Sequence, residues 1–237
     1  YIMKIDSGSI TGVNFSIWDS ESIRRESAVC ITEKKTYDDG KIVENGLRDE
    51  RLGATKGKVC RTCGEGTRNC NGHFGHIELE SPVYHISWIN NVIYWLRCIC
   101  FTEGCNTCLI KDLKTPNLMK NRHLQYYSKK VHSKCPNCDQ RQPKYSWNRE
   151  KARVEVNRIT YDIHKVIEHL EKMDEHILEQ LDLSHPKDMI LKVLPVPPPS
   201  VRPAIMQGSS VRGEDDLTYR LIQIMRANDK FKRSLDR

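Results

Sequence analysis

Cys60-Arg-Thr-Cys63-Gly-Glu-Gly-Thr-Arg-Asn-Cys70-Asn-Gly-His73-Phe-Gly-His76 decides how this chain folds. Two residues separate Cys60 from Cys63 and Cys70 from His73, the interval at which a knuckle of backbone aims two side chains at one tetrahedral ion. Downstream, Cys105-Asn-Thr-Cys108 and Cys135-Pro-Asn-Cys138 repeat the interval. The economical assignment is two closed zinc sites, one of Cys60, Cys63, Cys70 and His73, the other of Cys105, Cys108, Cys135 and Cys138. Neither leaves a position for water, so the metal is structural. His76 competes with His73, but the spacing favours His73 and gives His76 a packing or supporting role. Cys98 and Cys100 stand near enough to enter the second set; as free thiols they, like Cys30, read as small buried hydrophobes.

The rest of the composition fits a metal-held chain. At 237 residues and 38% hydrophobic content, it is lean in core-forming side chains. Zinc binding contributes roughly 10–16 kcal/mol in small modules, so chelation is expected to unfold the middle of the chain. Paired spacing, a histidine among the thiols and no targeting pattern at Tyr1-Ile-Met-Lys4 argue for zinc over disulfides and for a piece of a longer protein. No apolar run approaches the roughly 20 residues of a membrane span, which predicts a soluble chain. The net charge of +7 is concentrated: Lys111 to Arg158 holds 13 Lys/Arg against four Asp/Glu, interleaved with Tyr126, Tyr127, Tyr145 and Trp147. That composition suits a phosphate backbone, although a solvated basic face would look the same.

Hydrophobic periodicity predicts an α+β fold: an irregular, zinc-stabilised domain of helices and short strands. Residues 1–59 form an N-terminal strand and loop segment, with turns at Asp38-Asp39-Gly40 and Asn45-Gly46. Residues 60–158 form a zinc-binding head, in which Ile77-Glu-Leu-Glu80 is a short strand, Val83 to Leu96 a buried helix, and the basic spacer between Cys108 and Cys135 an exposed insertion. Residues 159–199 are a helical segment followed by a proline strap. There Ile163, Val166, Ile167 and Leu170 recur at helical spacing, and Asp174 caps a further helix bearing Ile177, Leu178 and Leu181. Ile190 to Leu194 is a strand stopped by Pro195, where the stiff strap to Pro203 begins. Residues 200–237 are a mobile Gly/Ser loop over Ala204 to Gly213 and a last helix starting near Glu214-Asp-Asp216. Those acids complement the helix dipole, and Leu217, Leu221, Ile224 and Met225 form its apolar face.

No catalytic or cofactor-binding constellation is present: no phosphate-cradling glycine loop with its lysine, no His-Glu-x-x-His helix, no Gly-x-Ser-x-Gly elbow. A cross-braced adaptor of the ubiquitin-ligase type needs interleaved cysteines at other spacings, and a free-standing DNA-binding factor leaves the proline strap without a purpose.

The Cys60-to-Leu79 run resembles the zinc signature of the largest subunit of multisubunit DNA-dependent RNA polymerases. Leu194-Pro-Val-Pro-Pro-Pro-Ser-Val-Arg-Pro203 with Arg212-Gly-Glu-Asp-Asp-Leu-Thr218, about 120 residues on, resembles that subunit's next landmark in its RNA polymerase II version, and Leu47-Arg-Asp-Glu-Arg-Leu-Gly53 its turn before the first zinc. The resemblance implies the clamp core and lid, which close over DNA and the RNA–DNA hybrid and part transcript from template. It implies phosphate contacts by Arg202 and Arg212 in the lid, and as partners the second-largest and smaller polymerase subunits, template DNA, nascent RNA, and initiation and elongation factors. Magnesium belongs to the complete enzyme, because the family's Asn-Ala-Asp-Phe-Asp-Gly-Asp motif does not occur in these residues. The close pair Cys135 and Cys138 and the extra Phe101-Thr-Glu-Gly104 depart from nuclear relatives. They point to a divergent member of the kind a large DNA virus would encode, located in the nucleus or, if viral, in a cytoplasmic factory or virion.

Overall fold

The computed structural model describes residues 17–55, 57–111, 120–176, 178, 185–207 and 211–236. The described chain enters through a short helix, α1 (Ser20–Glu26), started by Asp19, whose carboxylate accepts the Ser22 N–H at 2.7 Å. Asp39 and Gly40 take φ of 45° and 76°, the two left-handed residues of a type I′ turn, and join β1 (Tyr37–Asp38) to β2 (Lys41–Ile42). Among the described residues of this segment, the hairpin falls on the predicted turn residues Asp38-Asp39-Gly40, and α1 is an addition.

Ile77 to Glu80 lie inside a longer strand, β3 (Gly75–Tyr84). The predicted helix over Val83 to Leu96 begins later than expected: Val83 and Tyr84 still belong to β3, a 3-10 turn follows at Ile86–Trp88, and α2 spans Ile89–Cys98. The basic spacer is not simply an exposed insertion. It contains α3 (Lys120–Tyr127), whose Leu124 and Tyr127 are buried in the same core as α2. Then β4 (Tyr145–Asn148), β5 (Arg153–Val156) and β6 (Ile159–Thr160) form an antiparallel sheet in that order. Helix α4 (Ile163–Glu171) is capped by Asp162, which accepts the His164 N–H at 2.8 Å, and it buries Val166, Ile167 and Leu170. Asp174 accepts the His176 N–H at 2.9 Å, as a cap would, and Leu178 is buried; Ile177 and Leu181 lie outside the described residues.

Strand β7 (Ile190–Val196) pairs antiparallel with β3, from Gly75↔Val196 through Glu78↔Val193 and, past a bulge, to Tyr84↔Ile190. The strand does not stop at Pro195. Opposite Pro195 stands His76, whose N–H donates to the Val29 carbonyl at 3.0 Å and whose carbonyl accepts from Ile31 at 2.8 Å. His76 therefore turns its backbone groups away from Pro195, and a missing N–H there costs no ladder bond.

The Ala204-to-Gly213 segment is a hairpin, β8 (Ile205–Gln207) against β9 (Val211–Gly213), and residues 208–210 lie outside the described ones. Helix α5 (Asp216–Leu235) follows, with Asp215 capping Leu217 N–H at 2.9 Å. Its apolar face is narrower than predicted, because Leu221 and Met225 are buried while Leu217 and Ile224 are exposed.

Two cores result. One gathers Val92, Trp95 and Leu96 of α2 with Leu124, Tyr127, Val154 and Leu170; the other packs Val29, Ile31, Leu47, Leu52, Ile77 and Val196 beneath Leu221 and Met225. Each such side chain contributes roughly 1.5–3 kcal/mol by burial. The β3–β7 ladder joins them, with Ile190 in the first core and Val196 in the second. Among the described residues, no helix is long and apolar enough to cross a membrane.

Candidate metal centres

Cys60, Cys63, Cys70 and His73 bring their donor atoms within 4.8 Å of one another, as the spacing predicts. The first pair is a tight backbone knuckle: Cys60 N–H donates to Glu65 O at 2.9 Å and Gly64 N–H to Cys60 O at 2.8 Å. Closing it requires a left-handed residue directly after the second cysteine, and Gly64 has φ of 74°. The Thr62 N–H also points at Cys60 Sγ, 3.4 Å away. Cys70 Sγ and His73 Nε2 lie 3.8 Å apart. A zinc ion ~2.3 Å from each sulfur sets tetrahedral neighbours about 3.8 Å apart, so the donors fit that ion. At Cys70, burial pushes the thiol pKa up, but the backbone N–H groups of Ala54 and Gly72, together with the Cys63 and Cys60 side chains, outweigh it and the net shift is downward. Gly72, with φ of 91°, also lies so close to the proline strap that a Cβ would overlap Pro198 and stand 2.9 Å from Ser200 Oγ. The cluster is thereby seated on the chain leading to β8.

The second cluster differs from the predicted one by a single residue. Cys100, Cys105, Cys135 and Cys138 converge within 4.8 Å, with Cys100 and Cys138 sulfurs at 3.6 Å and Cys105 and Cys135 sulfurs at 3.5 Å. Cys108 lies outside it, its backbone bridged to Ile99. The Cys135 knuckle repeats the first one: Cys135 N–H donates to Gln140 O at 2.9 Å, Asp139 N–H to Cys135 O at 2.9 Å, and Asp139 is left-handed at φ 56°. Its partner is the same device enlarged by two residues. Cys100 N–H donates to Thr107 O at 3.0 Å, and Asn106, directly after Cys105, takes φ of 47°. Phe101-Thr-Glu-Gly104 is thus the inside of a widened knuckle, and Cys105-Asn-Thr-Cys108 is no knuckle at all. Cys105 is pushed down to about 6, chiefly by the Thr107 hydroxyl at 3.2 Å from its sulfur. Cys98 is fully buried in the first core, as expected of a small hydrophobe.

His76 stands apart from the first cluster, with Nδ1 2.7 Å from Ser27 Oγ. Arg202, expected to meet phosphate, has no exposed surface. Its guanidinium donates to Pro197 O at 2.8 Å, to Thr218 Oγ1 at 3.2 Å and to Leu47 O, and burial pushes its pKa down to about 10, with Arg48 adding to the fall against Glu214 and Asp215. Its role here is to tie strap, α5 and the Leu47 turn together. Glu214, expected to serve the helix dipole, instead accepts from Arg48 at 2.6 Å. Of Arg212 the described part is its backbone, on β9 opposite Met206.

Two four-donor clusters built on knuckles, each converging on its own centre, could each hold a metal ion, and their thiolate-rich sets suit zinc. A family model described as RNA polymerase Rpb1, domain 1, matches residues 7–237, and the chain belongs to that family. The DNA-directed RNA polymerase subunit Rpo1N of Sulfolobus acidocaldarius is 35% identical over 249 residues, covering 96% of this chain and 28% of that protein. Rpo1N of Methanothermobacter thermautotrophicus (strain Delta H) is 33% identical over 245 residues, with the same coverage of 96% and 28%. The DNA-directed RNA polymerase II subunit RPB1 of Euplotoides octocarinatus is 30% identical over 266 residues, covering 98% of this chain and 55% of that protein. The chain therefore spans little more than a quarter of these archaeal relatives, and the family found is the one its motifs resemble.

Proposed function

We propose that this chain is the clamp-core and lid portion of the largest subunit of a DNA-directed RNA polymerase. The observation that carries the reading is the family match over residues 7–237, with both thiolate clusters inside it. In this reading, two zinc ions stiffen a wall that closes over template DNA and the RNA–DNA hybrid, and the second-largest and smaller subunits, with initiation and elongation factors, bear on it. Exposed cations at Lys134, Arg149, Lys151 and Arg153 support it, since such a surface attracts phosphate at long range. Phosphoryl transfer occurs at magnesium held by residues outside this chain.

The β8–β9 hairpin is the proposed lid. Its base is set by Arg202 and the Arg48–Glu214 pair, an arrangement that fixes where the hairpin leaves the core. Within it, Arg212 is the proposed phosphate contact, and Arg202 supplies the support. The test is to replace residues 205–213 by a Gly-Ser linker in the assembled polymerase and to map hybrid length by nuclease protection. A longer hybrid with unimpaired nucleotide addition to a short primer is expected; an unchanged hybrid length rejects the lid assignment.

A further inference from the structure

Beside the second thiolate cluster, between the end of α2 and the β4–β5–β6 sheet, lies a cavity of about 880 Å³. Its floor is aliphatic, built from Leu96, Ile99, Leu109 and Val131. Its rim is cationic, carrying Arg97, Lys129, Arg141, Lys144 and Arg158, and no Asp or Glu occurs among its described lining residues. Several exposed cations elsewhere in this chain have carboxylate partners, as Arg24 has Glu78 and Lys232 has Glu80. Lys129, Arg141, Lys144 and Arg158 are exposed, and no ion pair to a described carboxylate involves them. Uncompensated like charge around a low-dielectric floor repels itself and favours an anionic occupant.

Arg158 strengthens the case. Asn157 and Arg158 are the two left-handed residues of the β5–β6 turn, at φ of 51° and 71°. Asparagine tolerates that region, and glycine would take the second position freely, whereas an arginine there costs about 1–2 kcal/mol. The turn is pinned by Asn157, whose N–H donates to Lys144 O at 2.9 Å and whose side-chain oxygen accepts the Lys144 N–H at 3.0 Å. The fold thus holds an arginine on the rim at a backbone cost it does not itself require.

We propose that this cavity docks an acidic peptide segment of a protein partner, with an apolar side chain on the aliphatic floor and flanking Asp or Glu carboxylates on the cationic rim. Single-stranded nucleic acid is disfavoured by the lining, because bases need open aromatic faces to stack on. The only Phe, Tyr or Trp among the described lining residues is Tyr145, which is 4% exposed. The volume is that of clefts which engulf a few side chains, roughly 300–1,000 Å³. The inference stands on the cavity itself and does not depend on the lid assignment.

The test is fluorescence anisotropy on the zinc-loaded chain with a labelled dodecapeptide of alternating Glu and Leu, beside a labelled oligothymidylate of equal length. Saturable peptide binding is expected, weakened about tenfold or more by Lys144→Glu with Arg158→Glu. Ser146→Trp, which puts bulk on an exposed lining position without changing charge, should weaken it to a similar degree. Lys41→Glu with Lys165→Glu, the same charge change away from the cavity, should leave it within about twofold. Circular dichroism and metal content confirm that each variant is folded. The proposal falls if the peptide does not saturate, if the distant pair weakens it equally, if Ser146→Trp leaves it unchanged, or if the oligothymidylate binds more tightly and is what the rim variants lose.

Discussion

Cys100 and Cys138, 38 residues apart in the chain, hold their sulfurs 3.6 Å from each other, and the nearer-looking candidate Cys108 is excluded from that cluster. Cys100→Ser should therefore reduce bound zinc from two ions per chain toward one, while Cys108→Ser leaves the count at two, by elemental analysis of purified protein. The reverse pattern would restore Cys108 as the ligand.

Gly72 joins the first cluster to the proline strap, and its contribution can be separated from simple backbone strain. Gly40 is also left-handed, at φ 76°, but has open space where a Cβ would go. Gly40→Ala is expected to cost about 1 kcal/mol, and Gly72→Ala about 2 kcal/mol more, since Pro198 must move. Chemical denaturation in zinc buffer measures both; equal losses would mean that the strap does not bear on the cluster.

Arg202→Ala leaves Leu47 O, Pro197 O and Thr218 Oγ1 without their donor and opens a void in the packing. A loss of roughly 3 kcal/mol of stability is expected, with no change in the salt dependence of nucleic-acid binding by the folded protein. Unchanged stability with a shallower salt slope would instead return Arg202 to phosphate contact.

His169 is 2% exposed, ringed by Phe101 and Tyr145, and burial, reinforced by Lys172, pushes its pKa from 6.5 down to about 4. The folded state holds the neutral ring and the unfolded chain binds the proton more readily. The stability this provides is complete above about pH 6.5 and is lost as pH falls through 4, up to roughly 3 kcal/mol. His169→Phe should flatten this part of the acid-stability profile; if wild type and variant lose stability in parallel from pH 6.5 to 4, the histidine is not responsible.

Much of this was legible from local pattern. Helix α4 was readable because Asp162 supplies a cap and Ile163, Val166, Ile167 and Leu170 fall on one stripe. The first cluster was readable because both its pairs are sequence-local. The second was misread by one residue, although a signal was present. The residue after the second cysteine of a knuckle must be left-handed, and Gly64, Asn106 and Asp139 are residues that accept this, whereas Leu109, after Cys108, is not. Position after the cysteine marks Cys105 as the end of a knuckle, but the choice between Cys98 and Cys100 as its beginning rests on packing.

The amino-acid sequence alone determined that thiolates and one imidazole would organise the middle of the chain, and which family it belongs to, because ligand type and short spacing are properties of a few adjacent residues. Only the tertiary structure decided that Cys100 replaces Cys108, that Arg202 is an internal tie with no exposed surface, and that the basic stretch folds around an aliphatic cavity. Each of these depends on partners far apart in the chain: 38 residues for Cys100 and Cys138, 155 for Arg202 and Leu47. Burial and contact at such separations are set by packing, which no local spacing encodes.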